Sequence, residues 1–263
     1  MNNDEFRRLI HQKGEEMYRD MPWRIDTRPY YVLVSELMLQ QTQVDRVIPK
    51  FEFFIEAFPT ERALAQASLA DVLKLWQGLG YNRRAKFLHE SAKMIIDSGG
   101  FPKNESGLMA LPGVGKNTAG AIMAYVYNQP ALFVETNVRA VYIHHFFDEQ
   151  DIVDDKDIYD LLAQTIDIDH PRIFYWAIMD YGTWLKKQGV APSRSKHYKR
   201  QSSFKGSVRE VRGAIIAILS SDATSRDHIR LIIDDDERFE KAMLGLVRDG
   251  LIVDDNGRVH LTS

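Results

Sequence analysis

The chain has 263 residues, of which 44% are hydrophobic and 27% are charged, and its formal net charge is −3. This composition supports one large core or two to three small domains, and no apolar run approaches the ~18 residues of a membrane span. The absence of cysteine excludes disulfides, thiolate nucleophiles and cysteine-ligated zinc or iron–sulfur clusters. Because the polar N-terminal stretch also lacks the apolar centre of a signal peptide, we expect a cytoplasmic protein with no membrane partner.

The body of the chain is predicted to be helical. Apolar residues recur at spacings of three and four in residues 31–47, 70–79, 85–96, 118–127, 138–147 and 158–166. Glycine and proline, among them Pro49, separate these segments, and no alternating strand pattern occurs before residue 250. We therefore predict an all-α body.

A different unit is predicted after residue 205. Residues 186–204 are polar and basic, which is typical of a linker or loop. Helical patterns follow at 208–219, 225–233 and 236–249. Asn256 and Gly257 then separate two short apolar runs, which is a strong hairpin signal because both residues tolerate positive φ. Three helices and a hairpin predict a winged-helix-like domain at 206–263.

The eight histidines have no spacing typical of a metal site, and we expect no metal centre. Basic residues cluster locally in two places, at 83–86 and at 193–205, while residues 234–237 are acidic. A net charge of −3 is therefore compatible with a nucleic-acid surface, because the distribution of charge decides binding.

The segment LPGVGK at residues 111–116 precedes a predicted helix at 117–127. Two glycines around one apolar residue permit a tight turn that exposes backbone N–H groups, and the helix N-terminus adds more of them. We assign DNA-backbone contacts to Leu111, Gly113, Val114, Gly115 and Lys116, and a monovalent cation is a further candidate ligand of this backbone. An ordinary helix–turn–helix joint is the alternative.

Six blocks resemble the endonuclease III superfamily and, within it, the MutY-type adenine DNA glycosylases. They are PWR (22–24), SELMLQQTQV (35–44), LWQGLGYNRRA (75–85), LPGVGKNTAGAI (111–122), VETNVRAV (134–141) and AIMDYG (177–182). The blocks follow one another in the family's order over about residues 20–185. The resemblance implies a two-lobed helix-hairpin-helix fold with DNA in its cleft and the target base rotated out of the duplex. One lobe is expected at 28–133 and the other at 1–27 with 134–205.

Glu36 is the predicted proton donor. It stands on an apolar helix, with Gln40 and Gln43 expected on the same face. A carboxyl group in an apolar pocket has a raised pKa and can donate a proton. The resemblance implies that Glu36 protonates N7 of adenine and then manages the attacking water. A solvated glutamate on a helix is the alternative.

Glu135 is the second predicted catalytic carboxylate. It begins the predicted helix at 137–147, and a helix N-terminus favours the ionised form. The ionised group would stabilise an oxocarbenium-like sugar, whereas simple helix capping is the alternative. The family that the sequence resembles usually has aspartate here. Glutamate is one methylene longer, so its side chain must adopt a different conformation to place the carboxylate in the same position. Asn137 matches a family asparagine that positions the sugar or the water.

Asn117 stands where bifunctional relatives of this family carry a Schiff-base lysine. An amide cannot form an imine, so we list Asn117 with the catalytic residues but expect no β-lyase chemistry from it. The neighbouring Lys116 points about 100° away on the helix.

Gln41 and Tyr81 match the family's wedge residues, which enter the base stack and stabilise the gap left by the extruded base. A core position is the alternative for Tyr81. We also assign Gln40 and Arg83 to the DNA-binding set.

The sequence departs from the family pattern in three ways. The four family cysteines are absent from residues 184–203, and here the sequence resembles the clusterless branch of the superfamily, in which a basic loop replaces the cluster loop. Arg194, Lys196, Lys199 and Arg200 are expected to contact phosphates there unless the segment is a solvated linker. Trp176 replaces an amide or carboxylate that faces adenine, and we assign it to the base pocket together with Arg24. We also expect no counterpart of the family's large C-terminal domain, which recognises 8-oxoguanine.

We conclude from the sequence that the chain is a DNA glycosylase, expected to be a monomer that acts on double-stranded DNA with a mismatched or damaged base pair. The predicted reaction is monofunctional removal of adenine opposite guanine or 8-oxoguanine, without a resident cofactor. Two alternatives stay open: a thymine or uracil glycosylase of the same fold, and a non-catalytic DNA-binding regulatory protein.

Overall fold

The computed structural model describes residues 1–148, 150–190, 194–198, 201–233 and 237–263. Over these ranges the helices are α1 (Asn3–Met17), α2 (Pro22–Ile25), α3 (Pro29–Leu39), α4 (Val44–Ala57), α5 (Glu61–Gln66), α6 (Leu69–Trp76), α7 (Arg83–Asp97), α8 (Glu105–Met109), α9 (Lys116–Tyr127), α10 (Thr136–Phe146), α11 (Asp155–Thr165), α12 (Pro171–Lys187), α13 (Val208–Leu219), α14 (Arg226–Ile233) and α15 (Glu237–Arg248). The strands are β1 (Thr224–Ser225), β2 (Ile252–Asp255) and β3 (Arg258–Leu261). The predicted helical body is confirmed.

The predicted continuous helix over 31–47 is wrong. Helix α3 ends at Leu39, and α4 begins at Val44. Between them Gln41 has a φ of 59°, a left-handed conformation that no helix continues through. Gln43 is the N-cap of α4 and so does not share a helix face with Glu36. Pro49 lies inside α4 and does not separate two elements.

The winged-helix-like prediction is confirmed by the C-terminal elements. Strands β2 and β3 pair antiparallel, with Asp255 opposite Arg258. Asn256 and Gly257 form the turn with φ values of 49° and 84°, as a two-residue hairpin requires. Strand β1 pairs with β3 and completes a three-stranded sheet of order β1-β3-β2. This third strand is two residues long, too short to produce an alternating pattern in the sequence.

The chain divides into two compact units. The first unit comprises Met1–Val32, Pro102–Ala110 and Val114–Gln201, and the second comprises Leu33–Phe101, Leu111–Gly113 and Ser202–Ser263. The C-terminal helices and sheet therefore belong to the same unit as α4–α7. The division predicted from the sequence, with a separate domain at 206–263 and lobes at 28–133 and at 1–27 with 134–205, stays a prediction.

The core of the first unit forms where α12 packs on α1 and α10. Gly14 permits the first contact, because a Cβ there would lie 2.7 Å from the Cβ of Ala177. Gly182 permits the second, because a Cβ there would lie 2.6 Å from the main-chain oxygen of Asn137. Within the described ranges no helix combines the length and apolar character that a membrane crossing would need.

Candidate active site and DNA-binding surface

Glu36 lies on α3 in the second unit. Its side chain is half-buried, while both neighbours, Ser35 and Leu37, are fully buried. Leu33 and Val34 are also fully buried, so Glu36 stands on a helix that is mostly buried. The role of Glu36 as proton donor stays a prediction.

Arg84 joins the end of α3 to the segment that precedes α7. Its Nη1 donates to the main-chain oxygens of Leu37 (2.7 Å), Met38 (2.8 Å) and Gln40 (2.5 Å). Its Nη2 donates to the oxygens of Leu79 (3.1 Å) and Gly80 (3.0 Å) and to Oγ1 of Thr42 (3.1 Å). Burial lowers the pKa of the guanidinium to about 10, so Arg84 is still a cation near neutral pH.

The two predicted wedge residues stand beside the carbonyl groups that Arg84 binds. Gln41 has a φ of 59° and Tyr81 a φ of 47°, and both are left-handed conformations that strain a residue with a Cβ. Arg84 bonds the oxygens of the preceding residues, Gln40 and Gly80, and so restrains both strained positions. In the sequence Arg84 is one of the basic residues at 83–86 and carries no local signal of this role. Its neighbour Arg83 is exposed beside the Phe87 ring.

The glycine-rich hairpin connects α8 to α9. Gly113 has a φ of 77°, and a Cβ there would lie 2.9 Å from Cδ2 of Phe87, so this position requires glycine. Gln40 Nε2 donates to the oxygen of Gly113 at 3.2 Å and supports the turn. Leu111 and Val114 are buried. Gly115 and Lys116 are exposed, and no side chain caps α9 at Gly115, as a phosphate-binding helix N-terminus requires.

Glu135 is the N-cap of α10 in the first unit. Its Oε1 accepts hydrogen bonds from the backbone N–H groups of Asn137 (2.7 Å) and Val138 (3.4 Å), so the capping alternative is realised. The same geometry holds the carboxylate at the positive end of a helix, where its ionised form is favoured. The Asn137 side chain donates to Sδ of Met179 at 3.5 Å and accepts from Oγ1 of Thr183 at 3.4 Å, which fixes the amide against α12.

Asn117 and Lys186 act on the surroundings of Glu135. Asn117 Nδ2 donates to the oxygen of Val134 at 2.8 Å and so fixes the residue before Glu135. Tyr159 Oη donates to Oδ1 of Asn117 at 3.4 Å, and Lys116 Nζ lies 4.8 Å from the Tyr159 ring centroid. Burial lowers the pKa of Lys186, while the charge of Glu135 raises it. No sequence motif marked Lys186.

Arg24 and Trp176 form part of an aromatic cluster in the first unit. Arg24 is buried and binds both carboxylate oxygens of Asp180, at 2.7 Å and 3.0 Å. Its guanidinium carbon lies 5.3 Å from the Trp176 ring centroid. Tyr18 and Tyr125 lie 6.4 Å and 6.3 Å from the same ring. Trp176 therefore packs within a cluster of aromatic rings, and the base-pocket role of Trp176 and Arg24 stays a prediction.

One comparison decides the family. The model of the HhH-GPD superfamily of base excision DNA repair proteins matches residues 34–165. The chain belongs to this superfamily. The match includes Glu36, the hairpin and Glu135.

Individual relatives agree with this membership. The adenine DNA glycosylase of Mycolicibacterium smegmatis is 33% identical over 260 residues, which cover 89% of this chain and 88% of that protein. The adenine DNA glycosylase of Buchnera aphidicola subsp. Baizongia pistaciae is 35% identical over 199 residues, which cover 71% of this chain and 56% of that longer protein. The solved structure of a thermostable thymine-DNA glycosylase has a TM-score of 0.62 and 26% identity, covering 68% of this chain and 85% of that one.

The sequence contains no cysteine, so its residues do not fit an iron–sulfur cluster that four cysteines would ligate. The described residues after α12 bind protein groups instead. Arg194 donates to the main-chain oxygens of Phe147, Asp148 and Gln150, and Val153 forms a β-bridge with Ser195. Arg194 and Ser195 are therefore held by the first unit, whereas residues 196–198 are exposed to solvent.

Lys196, the other described member of the predicted phosphate-binding set, pairs with Asp154. Its Nζ lies 3.2 Å from Oδ2 of that carboxylate, and its side chain is 65% exposed. The backbone N–H of Lys156, then Lys196 and His197, lower the pKa of Asp154 to about 2. Lys199 and Arg200 lie outside the described residues. A phosphate contact from this segment stays a prediction, with Lys196 better exposed for it than Arg194.

Proposed function

We propose that the protein is a monofunctional adenine DNA glycosylase that hydrolyses the N-glycosidic bond of adenine mispaired with guanine or 8-oxoguanine in double-stranded DNA. The observation that carries the proposal is Glu36, which is half-buried on apolar α3 within the part of the chain that the family model matches. The similarity to the adenine DNA glycosylase of M. smegmatis, of which the chain covers 88%, supports the choice of base.

The reaction needs one proton donor and one anion. Glu36 donates a proton to N7 of adenine, and the bond between C1′ and N9 then breaks with its electron pair moving to the base. The carboxylate of Glu135 stabilises the positive charge that develops on the sugar. A water molecule adds to C1′, and its proton passes to the Glu36 carboxylate, which restores the acid.

We assign no lyase step to the protein. Asn117 carries an amide where an imine-forming lysine would be needed, and its two amide atoms bind Val134 and Tyr159. Its role is to hold the chain before Glu135.

The backbone of the hairpin is our candidate site for a monovalent cation.

DNA binding in this proposal comes from groups that contact phosphates. The exposed hairpin residues Gly115 and Lys116 supply backbone N–H groups and a charge, and Lys196 supplies a second charge. Gln41 and Tyr81 enter the base stack. If Lys196 contacts one phosphate, neutralising it should make the plot of log binding constant against log salt concentration less steep by about one unit. An unchanged slope would assign Lys196 to its pair with Asp154 alone.

Thymine excision is the second candidate function. It is favoured by the structural similarity to a thymine-DNA glycosylase and by Trp176, which offers an aromatic surface in place of an amide. A panel of duplexes, each with one mismatch or lesion, separates the candidates after the products are cleaved with alkali. We expect cleavage at adenine opposite guanine or 8-oxoguanine, and strand breaks that require alkali. Cleavage at thymine opposite guanine would favour the second candidate. Trapping of a covalent protein–DNA adduct by borohydride, at the rate of base excision, would refute the monofunctional assignment.

A further inference from the structure

Arg209 of the C-terminal helices contacts the predicted wedge. It lies in the first turn of α13, and its Nη1 donates to Oη of Tyr81 at 2.7 Å across a sequence separation of 128 residues. The guanidinium carbon also lies 5.0 Å from the centroid of the Tyr81 ring. The contact lies inside the second unit. Neither the motif blocks nor the local basic clusters of the sequence include Arg209.

The chain before α13 holds the guanidinium of Arg209 in place. Its Nη2 donates to the main-chain oxygens of Ser202 (2.7 Å) and Ser203 (3.3 Å) and to Oγ of Ser202 (3.1 Å). Ser207 caps the helix through the N–H of Glu210. Arg209 is therefore a fixed donor, because its position does not depend on Tyr81 alone.

Two further contacts fix the C-terminal elements against α6 and α7. Gln77 Nε2 donates to Oγ of Ser220 at 2.5 Å. Lys86 Nζ donates to the main-chain oxygen of Asp249 at 3.0 Å, just after α15 ends. The bond from Arg209 to Tyr81 is thus one part of a packed interface, and it is the part that reaches the wedge.

We propose that Arg209 is a positioning residue for Tyr81, through which the C-terminal helices determine how readily the wedge opens DNA at the mismatch. The inference rests on the proposed role of Tyr81. Arg84 restrains the main chain at the wedge by bonding the oxygen of Gly80, and Arg209 restrains the far end of the side chain. A side chain fixed at both ends loses less conformational entropy when it enters the base stack.

The test measures duplex opening directly, with 2-aminopurine placed beside an adenine–guanine mismatch as a fluorescent reporter of unstacking. The variants are Arg209→Met, which removes the donor at similar length, and Tyr81→Phe, which removes the acceptor alone. When Tyr81 is no longer held in advance, the cost of ordering one side chain should raise the protein concentration at half-maximal opening by roughly two- to tenfold. We expect each single variant to show that shift. The double variant should show a shift no larger than that of one single variant, because both substitutions remove the same bond.

Two comparisons keep the outcome interpretable. Ser220→Ala removes the contact with Gln77 elsewhere in the same interface and should leave the midpoint unchanged. Tyr81→Phe tests the same bond if Arg209→Met does not fold. Unchanged midpoints in both single variants, or fully additive shifts, would overturn the proposal. Adenine release by the wild-type protein is scored separately, so a protein that opens the duplex without excising adenine would refute the proposed function and leave the test of Arg209 intact.

Discussion

The guanidinium of Arg84 donates to the main-chain oxygen of Gln40 at 2.5 Å, which ties the chain beyond the Glu36 helix to the segment that carries Tyr81. Arg84 also donates to the main-chain oxygen of Gly80, so it restrains the turns at both Gln41 and Tyr81. The relationship makes Arg84 a structural centre of the second unit, although it contacts neither base nor sugar in our account.

Replacing Arg84 with methionine should therefore strongly destabilise the fold. The change leaves several buried carbonyl groups without a donor, and each such group costs about 1–3 kcal/mol. We expect the free energy of unfolding, measured by urea denaturation, to fall by at least ~3 kcal/mol. Arg83→Met is the matched control, since exposed Arg83 should change stability by no more than about 0.5 kcal/mol. Equal effects of the two variants would refute the role given to Arg84.

The contrast between Arg83 and Arg84 explains how much the sequence can predict. Periodicity located the helices and the C-terminal hairpin, because amphipathic faces and an Asn-Gly turn are local signals. Local charge could not separate a buried arginine from its exposed neighbour, because the partners of Arg84 lie up to 47 residues away in the chain. The contact of Arg209 with Tyr81 is likewise long-range. The break at Gln41 was missed because apolar periodicity continues through it into α4.

The hairpin should depend on Gly113 for its shape. Alanine at a φ of 77°, with its Cβ 2.9 Å from Phe87, should destabilise the protein by about 1–3 kcal/mol and weaken binding to all duplexes alike. Gly115→Ala is the control for the fold, because a Cβ there meets nothing within 4 Å. That variant should change stability by less than about 1 kcal/mol. Fluorescence anisotropy with matched and mismatched duplexes measures the binding, and loss confined to mismatched DNA would contradict a phosphate-binding hairpin.

Glu135→Gln separates helix capping from charge stabilisation. The amide oxygen of glutamine can still accept the N–H groups of Asn137 and Val138, but it carries no charge. We expect thermal stability close to that of the wild type and a fall of about 10²-fold in the single-turnover rate of excision. A stable variant with the wild-type rate would leave Glu135 with capping alone.

Acid should destabilise the first unit through His145. Burial, and then the charge of His144, lower its pKa in the folded state to about 4 from an ordinary value of 6.5. The unfolded chain therefore takes up the proton first, so stability is complete above pH 6.5 and declines as the pH falls toward 4. His145→Gln should flatten this decline in thermal-melting curves. Parallel curves for the two proteins would show that other groups cause the acid sensitivity.

The central claim is that Glu36 supplies the proton for departure of the base, and its direct test is the single-turnover rate of Glu36→Gln on an adenine–guanine duplex. Glutamine keeps the size and hydrogen-bonding capacity of the side chain but has no acidic proton. The account predicts a fall of at least ~10²-fold in excision while mismatch binding stays near that of the wild type. Excision at the wild-type rate, or a loss of binding without any change in the chemical rate, would contradict it.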